Sequence, residues 1–384
     1  MSLFTTDELH ELRSLFPHAE KSIYLDHAAV SPLSIPVVES MKAYLKERSE
    51  GSINDFEGNV ALIGETKRLL ARLIGAEGRE IALTKNTSEG LNIIAQGISW
   101  RGGDRVLLND REFPSNIYPF TNLRSRGVEV DFARCSDGRI ELDALKEKLV
   151  PRTRLISISH VSFVSGFRVD LEEISKLCDE HSVYLCVDAI QSVGVIPLNV
   201  SRWGIDLLSC GGHKWLMSPL GTGFLYIRDG LWDEIKPAFM SWLSVSEPFD
   251  FFNYDQSLAV DASRYEYATP NMVGIAGMKA AVGLFLDVGV RRIEEHVLSL
   301  LNFLADRLSD MGLEIMNTFK RKESSGILLF RVQDAGSLSR ELAGEGITVS
   351  VREGAVRVSP HFYNSPDEIE TFTATMKRLL SKRR

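Results

Sequence analysis

One lysine interrupts the stretch LLSCGGHKWLMSPLGTGFLYI (207–227), which is otherwise apolar, small or glycine-rich. Lys214 follows two glycines and stands between His213 and Trp215. Upstream, Asp188 closes the apolar run VYLCVD, and Gln191 lies three residues further on. Thr87 and Ser88 open the run TSEGLN, and Phe113 sits in DREFPSN. A carboxylate closing an apolar strand is costly unless it meets a partner. Hydroxyls beside the free N–H groups of a helix start form an anion site. An amine in an apolar turn loses basicity and becomes a nucleophile. An anion nest, a buried carboxylate, an aromatic face and a lone lysine are the parts that would hold an aromatic aldehyde bearing a phosphate. Pyridoxal 5'-phosphate is such a molecule. Its phosphate needs the nest, its ring a stacking face, its pyridine nitrogen a carboxylate, and its aldehyde a lysine amine.

Each residue alone has a plainer reading. Thr87 and Ser88 could cap the helix SEGLNIIAQGI. Asp188 could cap a helix, Phe113 could be core, and His213 could be a hydrogen-bonded structural histidine. The combination favours the cofactor.

These residues share a position, the end of a strand. Seven short apolar runs read as strands: EIALT, DRVLLN, VEVDFA, RLISIS, VYLCVD, DLLSC and GFLYI. Several are apolar on both faces, as strands covered by helices on each side must be. Helical patterns lie between them; in LEEISKLCDEHS, Leu171, Ile174, Leu177 and Cys178 fall on one face. Strand and helix in alternation predict an α/β fold, a three-layer sandwich around a mainly parallel seven-stranded sheet. Ligands bind such sheets at the C-terminal ends of the strands.

The aromatic-rich PAFMSWLSVSEPFDFFNYD (237–255) reads as an irregular excursion near a site or an interface. Beyond it, a helical stretch over about 271–311, the strands GILLFRV, ITVSVRE and VRVS, and the amphipathic PDEIETFTATMKRLLSKRR describe a smaller C-terminal α/β domain. The expected division is an N-terminal segment 1–20, a large cofactor-binding domain 21–260 and a small domain 261–384.

The 384 residues carry 44 basic and 52 acidic side chains, so the net charge of -8 argues against nucleic acid as a partner. The four cysteines form no CxxC pair, and the eight histidines show no metal-ligand spacing. No apolar run reaches a membrane-spanning length, and the N-terminus lacks a signal-peptide core. A cytoplasmic protein with no membrane partner and no metal is the expectation.

SCGGHKWLMSPLGTGFLYI, with VDAIQSVG, TKNTSEGLN, REFPSN and EYATPN, resembles the class V aminotransferase family of fold type I pyridoxal-phosphate enzymes. That family includes cysteine desulfurases, kynureninases and isopenicillin N epimerase-like proteins. The resemblance runs from YLDHAAVSPLS (24–34) to VRVSPHFYNSPDEI (356–369). It implies that Lys214 is the Schiff-base lysine and proton carrier, and that Asp188 faces the pyridine nitrogen. It implies that Gln191 bonds the phenolic oxygen, that Phe113 stacks on the ring, and that Thr87, Ser88 and His213 hold the phosphate. Thr269 in ATPN would touch the phosphate of a neighbouring subunit, implying a homodimer with shared active sites. Arg357 in VRVS would clamp the α-carboxylate of an amino-acid or amine substrate.

Three departures from the family pattern stand out. The loop TVSVREGAVRVS has Ser350, Arg352, Glu353 and Gly354, but not the nucleophilic cysteine that desulfurases carry before the arginine strand. Phe163 stands where many relatives have an asparagine. Gly211 stands where many have a phosphate-binding serine, and Ser209 lies two residues too early to replace it. The resemblance implies amino-acid chemistry through an external aldimine and a Cα carbanion, with an aminotransferase preferred. A β-elimination lyase, an epimerase and a kynureninase-like hydrolase stay open, and a cysteine desulfurase is disfavoured for want of the cysteine. A nicotinamide-dependent dehydrogenase would need GxGxxG in its first strand–helix turn, where none occurs. A non-catalytic scaffold would be expected to lose Lys214 or Asp188.

Overall fold

The computed structural model describes residues 4–136, 138–317 and 320–382. The first three residues of the expected N-terminal segment and the last two of the expected small domain lie outside the described residues. In chain order the chain forms α1 (Thr6–Ser14), β1 (Ile23–Tyr24), α2 (Ile35–Glu50), α3 (Phe56–Ile74), β2 (Ile81–Thr84), α4 (Thr87–Gly97), β3 (Arg105–Asn109), α5 (Tyr118–Thr121), β4 (Glu129–Ala133), α6 (Leu142–Lys148), β5 (Thr153–Ser159), α7 (Leu171–His181), β6 (Tyr184–Asp188), β7 (Leu207–Gly211) and β8 (Gly223–Ile227). Then follow α8 (Met272–Val288), α9 (Val290–Asp310), β9 (Leu328–Arg331), α10 (Ala335–Gly344), β10 (Ile347–Thr348), β11 (Ser350–Arg352), β12 (Ala355–Val358) and α11 (Pro366–Ser381).

The seven expected strands form one sheet in the order β2-β8-β7-β6-β5-β3-β4. Only β8 runs against its neighbours, pairing antiparallel with both β2 and β7. The other pairs are parallel. The period-two alternation of these runs sorts their side chains onto two faces. One face carries Leu107, Ile156, Leu185 and Leu208, which join Ile174 and Leu177 of α7 in one apolar cluster. The opposite face carries Val106, Leu155, Cys186 and Leu207, which pack with Leu91 and Ile94 of α4 in another. Helices on both faces make the three-layer α/β sandwich, as the doubly apolar strands required.

The helical stretch after 271 is two helices. α8 and α9 meet at Gly289 with a 77° bend, a break that a continuous apolar pattern conceals. β11, β12 and β9 form a small antiparallel sheet. The N-terminal chain reaches across to it. β1 pairs with β10, and Asp26 bridges to Ser359. That crossing lays LDHAA beside the strand that carries Arg357.

Candidate active site

β2, β3, β6 and β7 run parallel to one another, so the loops after them emerge on one edge of the sheet. Asp188 ends β6, Gly211 ends β7, α4 starts just after β2, and Phe113 follows β3. The sheet therefore brings together the residues that the spacing singled out.

The turn after β7 is fixed by its backbone. Gly212 donates its N–H to Thr222 O at 2.9 Å and accepts from Ser218 N at 2.9 Å. A Cβ on Gly212 would lie 2.7 Å from the Ser218 Cβ, so only glycine fits this approach. Trp215 is fully buried, and its indole N–H donates to Gln191 Oε1 at 2.8 Å. With Trp215 anchored, Lys214 projects from a rigid turn. Its Nζ lies 5.6 Å from the centroid of the Phe113 ring.

Phe113 keeps an exposed face, at 42% exposure. Phe163 packs edge-on against it, with ring centroids 5.2 Å apart and planes at 83°. Phe163, which stands where many relatives have an asparagine, thus buttresses the aromatic platform. Glu112, which the sequence reading passed over, holds the same loop from behind. Its carboxylate accepts from Asn109 Nδ2 at 2.6 Å and Ser159 N at 2.7 Å, and from the Ser159 hydroxyl. Burial pushes its carboxyl above the usual range.

Asp188 is 2% exposed and accepts one backbone bond, from Ile190 N at 3.0 Å. No lysine or arginine among the described residues is ion-paired with it at close range. Burial raises its carboxyl, with the Glu112 charge acting in the same direction and Lys214 against it. Lys214 is pushed down, to about 8, first by burial and then by the charges of Arg357 and Arg352, while Asp188 opposes the shift. A buried carboxylate without a close cation and an amine of lowered basicity are complementary to a protonated ring nitrogen and an aldehyde.

At the start of α4, the cap is Asn86, whose Oδ1 accepts from Glu89 N at 2.9 Å. Thr87 and Ser88 are therefore released from the capping duty that their residue types suggest. Thr87 Oγ1 accepts from Gly211 N at 2.8 Å, tying α4 to β7. Ser88 donates its hydroxyl to Ser115 Oγ at 2.8 Å. His213 is partly buried, and burial lowers its basicity. A Cβ on Gly211 would meet Thr87 Oγ1 at 3.2 Å and His213 Nδ1 at 3.3 Å, so the serine that many relatives carry would fit only if those side chains gave way by a few tenths of an ångström. Ser115, from the loop that carries Phe113, supplies a hydroxyl to the nest instead. Ser209 does not compensate; its hydroxyl donates to Thr87 O at 2.9 Å.

Gln191 is buried and already held. Besides the Trp215 bond, its Nε2 donates to Ala28 O at 3.0 Å. The second hydrogen of that amide is the one left for a phenolic oxygen. Thr269 is exposed, with φ 58°, in a segment beside Gly221 and Asn271. These residues fit pyridoxal phosphate: Phe113 would offer the face, Asp188 the ring-nitrogen partner, Lys214 the amine, and Ser88 with Ser115 and the α4 N-terminus the anion nest.

Arg357 is 1% exposed and donates from Nη2 to Asp26 Oδ1 at 3.1 Å and from Nε to Ser350 Oγ at 3.1 Å. The Ser350 hydroxyl donates in turn to Asp26 Oδ1 at 2.7 Å. Neither Asp26 nor Ser350 was assigned a role from sequence. β11 and β12 are joined by a two-residue turn of Glu353 and Gly354, at φ 48° and 78°. No loop long enough to bring a thiol over Lys214 exists in this hairpin. All four cysteines are free, and burial raises the basicity of each.

The family model described as Aminotransferase class-V matches residues 23–372. A probable cysteine desulfurase from Methanothermobacter thermautotrophicus is 29% identical, the match covering 96% of this chain and 97% of that protein. Among solved structures, an apo cysteine desulfurase from Thermococcus onnurineus superposes with a TM-score of 0.90 at 28% identity, covering both chains fully. The cystine C–S lyase C-DES, in complex with its product cysteine persulfide, superposes with a TM-score of 0.87 at 26% identity, covering 94% of this chain and 98% of that one. A mutant of the same lyase has been solved with glycine covalently linked to its pyridoxal-phosphate cofactor.

Proposed function

Since the chain belongs to the class V aminotransferase family and is a pyridoxal-phosphate enzyme, we propose that it is a lyase that cleaves the Cβ–S bond of a sulfur-bearing amino acid and releases the sulfur to solution. The observation that carries this reading is the two-residue β11–β12 turn of Glu353 and Gly354, which carries no cysteine ahead of the Arg357 strand. The names of similar proteins favour C–S cleavage over the transamination preferred from sequence. A lyase that hands its sulfur to no protein thiol reconciles those names with the missing cysteine.

Pyridoxal phosphate, when bound, supplies an aldehyde that captures amines and a ring that accepts electrons. Lys214 would hold the aldehyde and, as a free amine, would take the Cα proton; its lowered basicity suits both tasks. Asp188 would keep the ring nitrogen protonated. Phe113, braced by Phe163, would hold the ring plane. Arg357 orients the α-carboxylate through the N–H groups that Asp26 and Ser350 leave open. Loss of the Cα proton and of the β-sulfur group, followed by hydrolysis, gives pyruvate, ammonia and a thiol or persulfide.

A homodimer belongs to the same reading. Phe239, Phe251, Phe252 and Tyr254 are 62%, 62%, 87% and 88% exposed, an apolar patch that a second copy would cover. Exposed Thr269 would then reach the partner's phosphate. The test is to supply the loaded protein with cysteine, cystine and S-alkyl cysteines, with and without keto acids. Pyruvate and sulfur release without any keto acid supports the lyase; amino-group exchange that requires a keto acid identifies a transaminase and refutes it. Lys214→Ala should abolish turnover and the borohydride-reducible absorbance.

A further inference from the structure

In the β11–β12 hairpin, Ser350 stands opposite Arg357 and Arg352 opposite Ala355. Alternate residues of a strand share a face. Ser350 and Arg352 therefore point to the same side, and the bonds of Ser350 to Arg357 and Asp26 identify it as the side of the active site. The two arginines differ in their compensation. Arg357 is paired with Asp26 at 3.1 Å. Arg352 is partly buried and donates only to the carbonyl of its own neighbour, Val351, at 2.8 Å. No carboxylate among the described residues pairs with it, and the adjacent Glu353 is exposed. The Arg352 charge nevertheless reaches the centre of the site, lowering the basicity of both Lys214 and Arg357.

A partly buried guanidinium with no carboxylate partner, on the face of the hairpin that carries Ser350, is costly unless a ligand supplies the counter-charge. The α-carboxylate of an amino acid is accounted for by Arg357. A second anionic group would be accounted for by Arg352. Two residues of strand separate Ser350, which touches Arg357, from Arg352, a rise of roughly 7 Å. A β-carboxylate would reach little of that span, whereas an anion on the far side of a β-sulfur would reach much more. We propose that Arg352 is a specificity residue that selects amino acids carrying a second carboxylate or sulfur oxyanion on the β-substituent, with a disulfide-linked amino acid such as cystine as the fitting class. The naming of a sulfur substrate rests on the lyase reading above; the selection for a second anion does not.

The experiment compares loaded wild-type and Arg352→Gln protein. Binding is read from the change in cofactor absorbance with L-glutamate and L-alanine, which carry no sulfur, and turnover is read with L-cystine and S-methyl-L-cysteine. The expected result is a loss of about tenfold or more in affinity for glutamate and in kcat/KM for cystine, over and above any change shared by alanine and S-methylcysteine that follows from the altered basicity of Lys214. Arg352→Lys should restore part of the loss, because it keeps the charge and loses the fork. Equal losses for all four ligands would place Arg352 on the α-carboxylate and overturn the proposal. Loss of cofactor retention would place it on the phosphate, and no change anywhere would place it outside the site; either overturns it. If glutamate discrimination survives while cystine is never cleaved, the lyase reading fails and the role of Arg352 stands.

Discussion

The lowered basicity of Lys214 has a direct kinetic consequence. An ordinary lysine amine, at 10.5, is only about 0.3% neutral at pH 8, whereas one at about 8 is half neutral. Lys214 should therefore take up the aldehyde on the order of a hundredfold faster at pH 8 than an unshifted lysine of equal access and nucleophilicity. The assay is stopped-flow mixing of cofactor-free protein with pyridoxal phosphate across pH 6 to 11, read by the rise in near-visible absorbance. The profile should level off above about 8. The site also dictates how the midpoint moves. Asp188 pulls it up, so Asp188→Asn should lower it. Arg352 pushes it down, so Arg352→Gln should raise it. A wild-type rate that keeps climbing through pH 10, with neither variant moving the midpoint, would refute the claim that burial and these charges activate the amine.

Asp26→Ala should cost about 3–5 kcal/mol in urea unfolding, because it leaves Arg357 buried and unpaired. Ser115→Ala should raise the dissociation constant for pyridoxal phosphate about tenfold by fluorescence quenching, since it removes the hydroxyl paired with Ser88. Gly211→Ser should rescue that loss only in part, because its Cβ would have to push Thr87 and His213 aside by a few tenths of an ångström. The buried histidines set an acid limit. His296 and His361 are held neutral, with basicity lowered to about 4 and about 3. The unfolded chain binds protons below about 6.5 that the folded chain refuses, so stability is full above that pH and falls as pH drops toward 4, by about 3 kcal/mol for His296 alone. Denaturation midpoints at pH 7.5, 6 and 5 check the slope.

Much of this site could be read from the chain before its fold was seen, for physical reasons. The strands are short and apolar on both faces, so their ends are visible as the first polar residues after each run, and Asp188, Ser88 and Phe113 stand there. Lys214 is visible because nothing else in its stretch is charged. Periodicity does not encode strand direction, so the antiparallel course of β8 was hidden. Nor does it reveal a break inside an apolar helical pattern, as at Gly289. The Asp26–Arg357 pair joins residues 331 positions apart, and only the crossing of β1 onto β10 brings them together. The duties of Thr87 and Ser88 were ambiguous until Asn86 appeared as the cap. The part played by Phe163, packed against Phe113 where many relatives have an asparagine, likewise needed the contact itself.

The most direct test of C–S cleavage without a protein thiol is a single turnover of the loaded protein with cystine, followed by intact-protein mass analysis and product assay. The account predicts pyruvate and small-molecule persulfide in equal amounts, with the polypeptide mass unchanged. A protein that gains the mass of one sulfur atom, on Cys135, Cys178, Cys186 or Cys210, would contradict it.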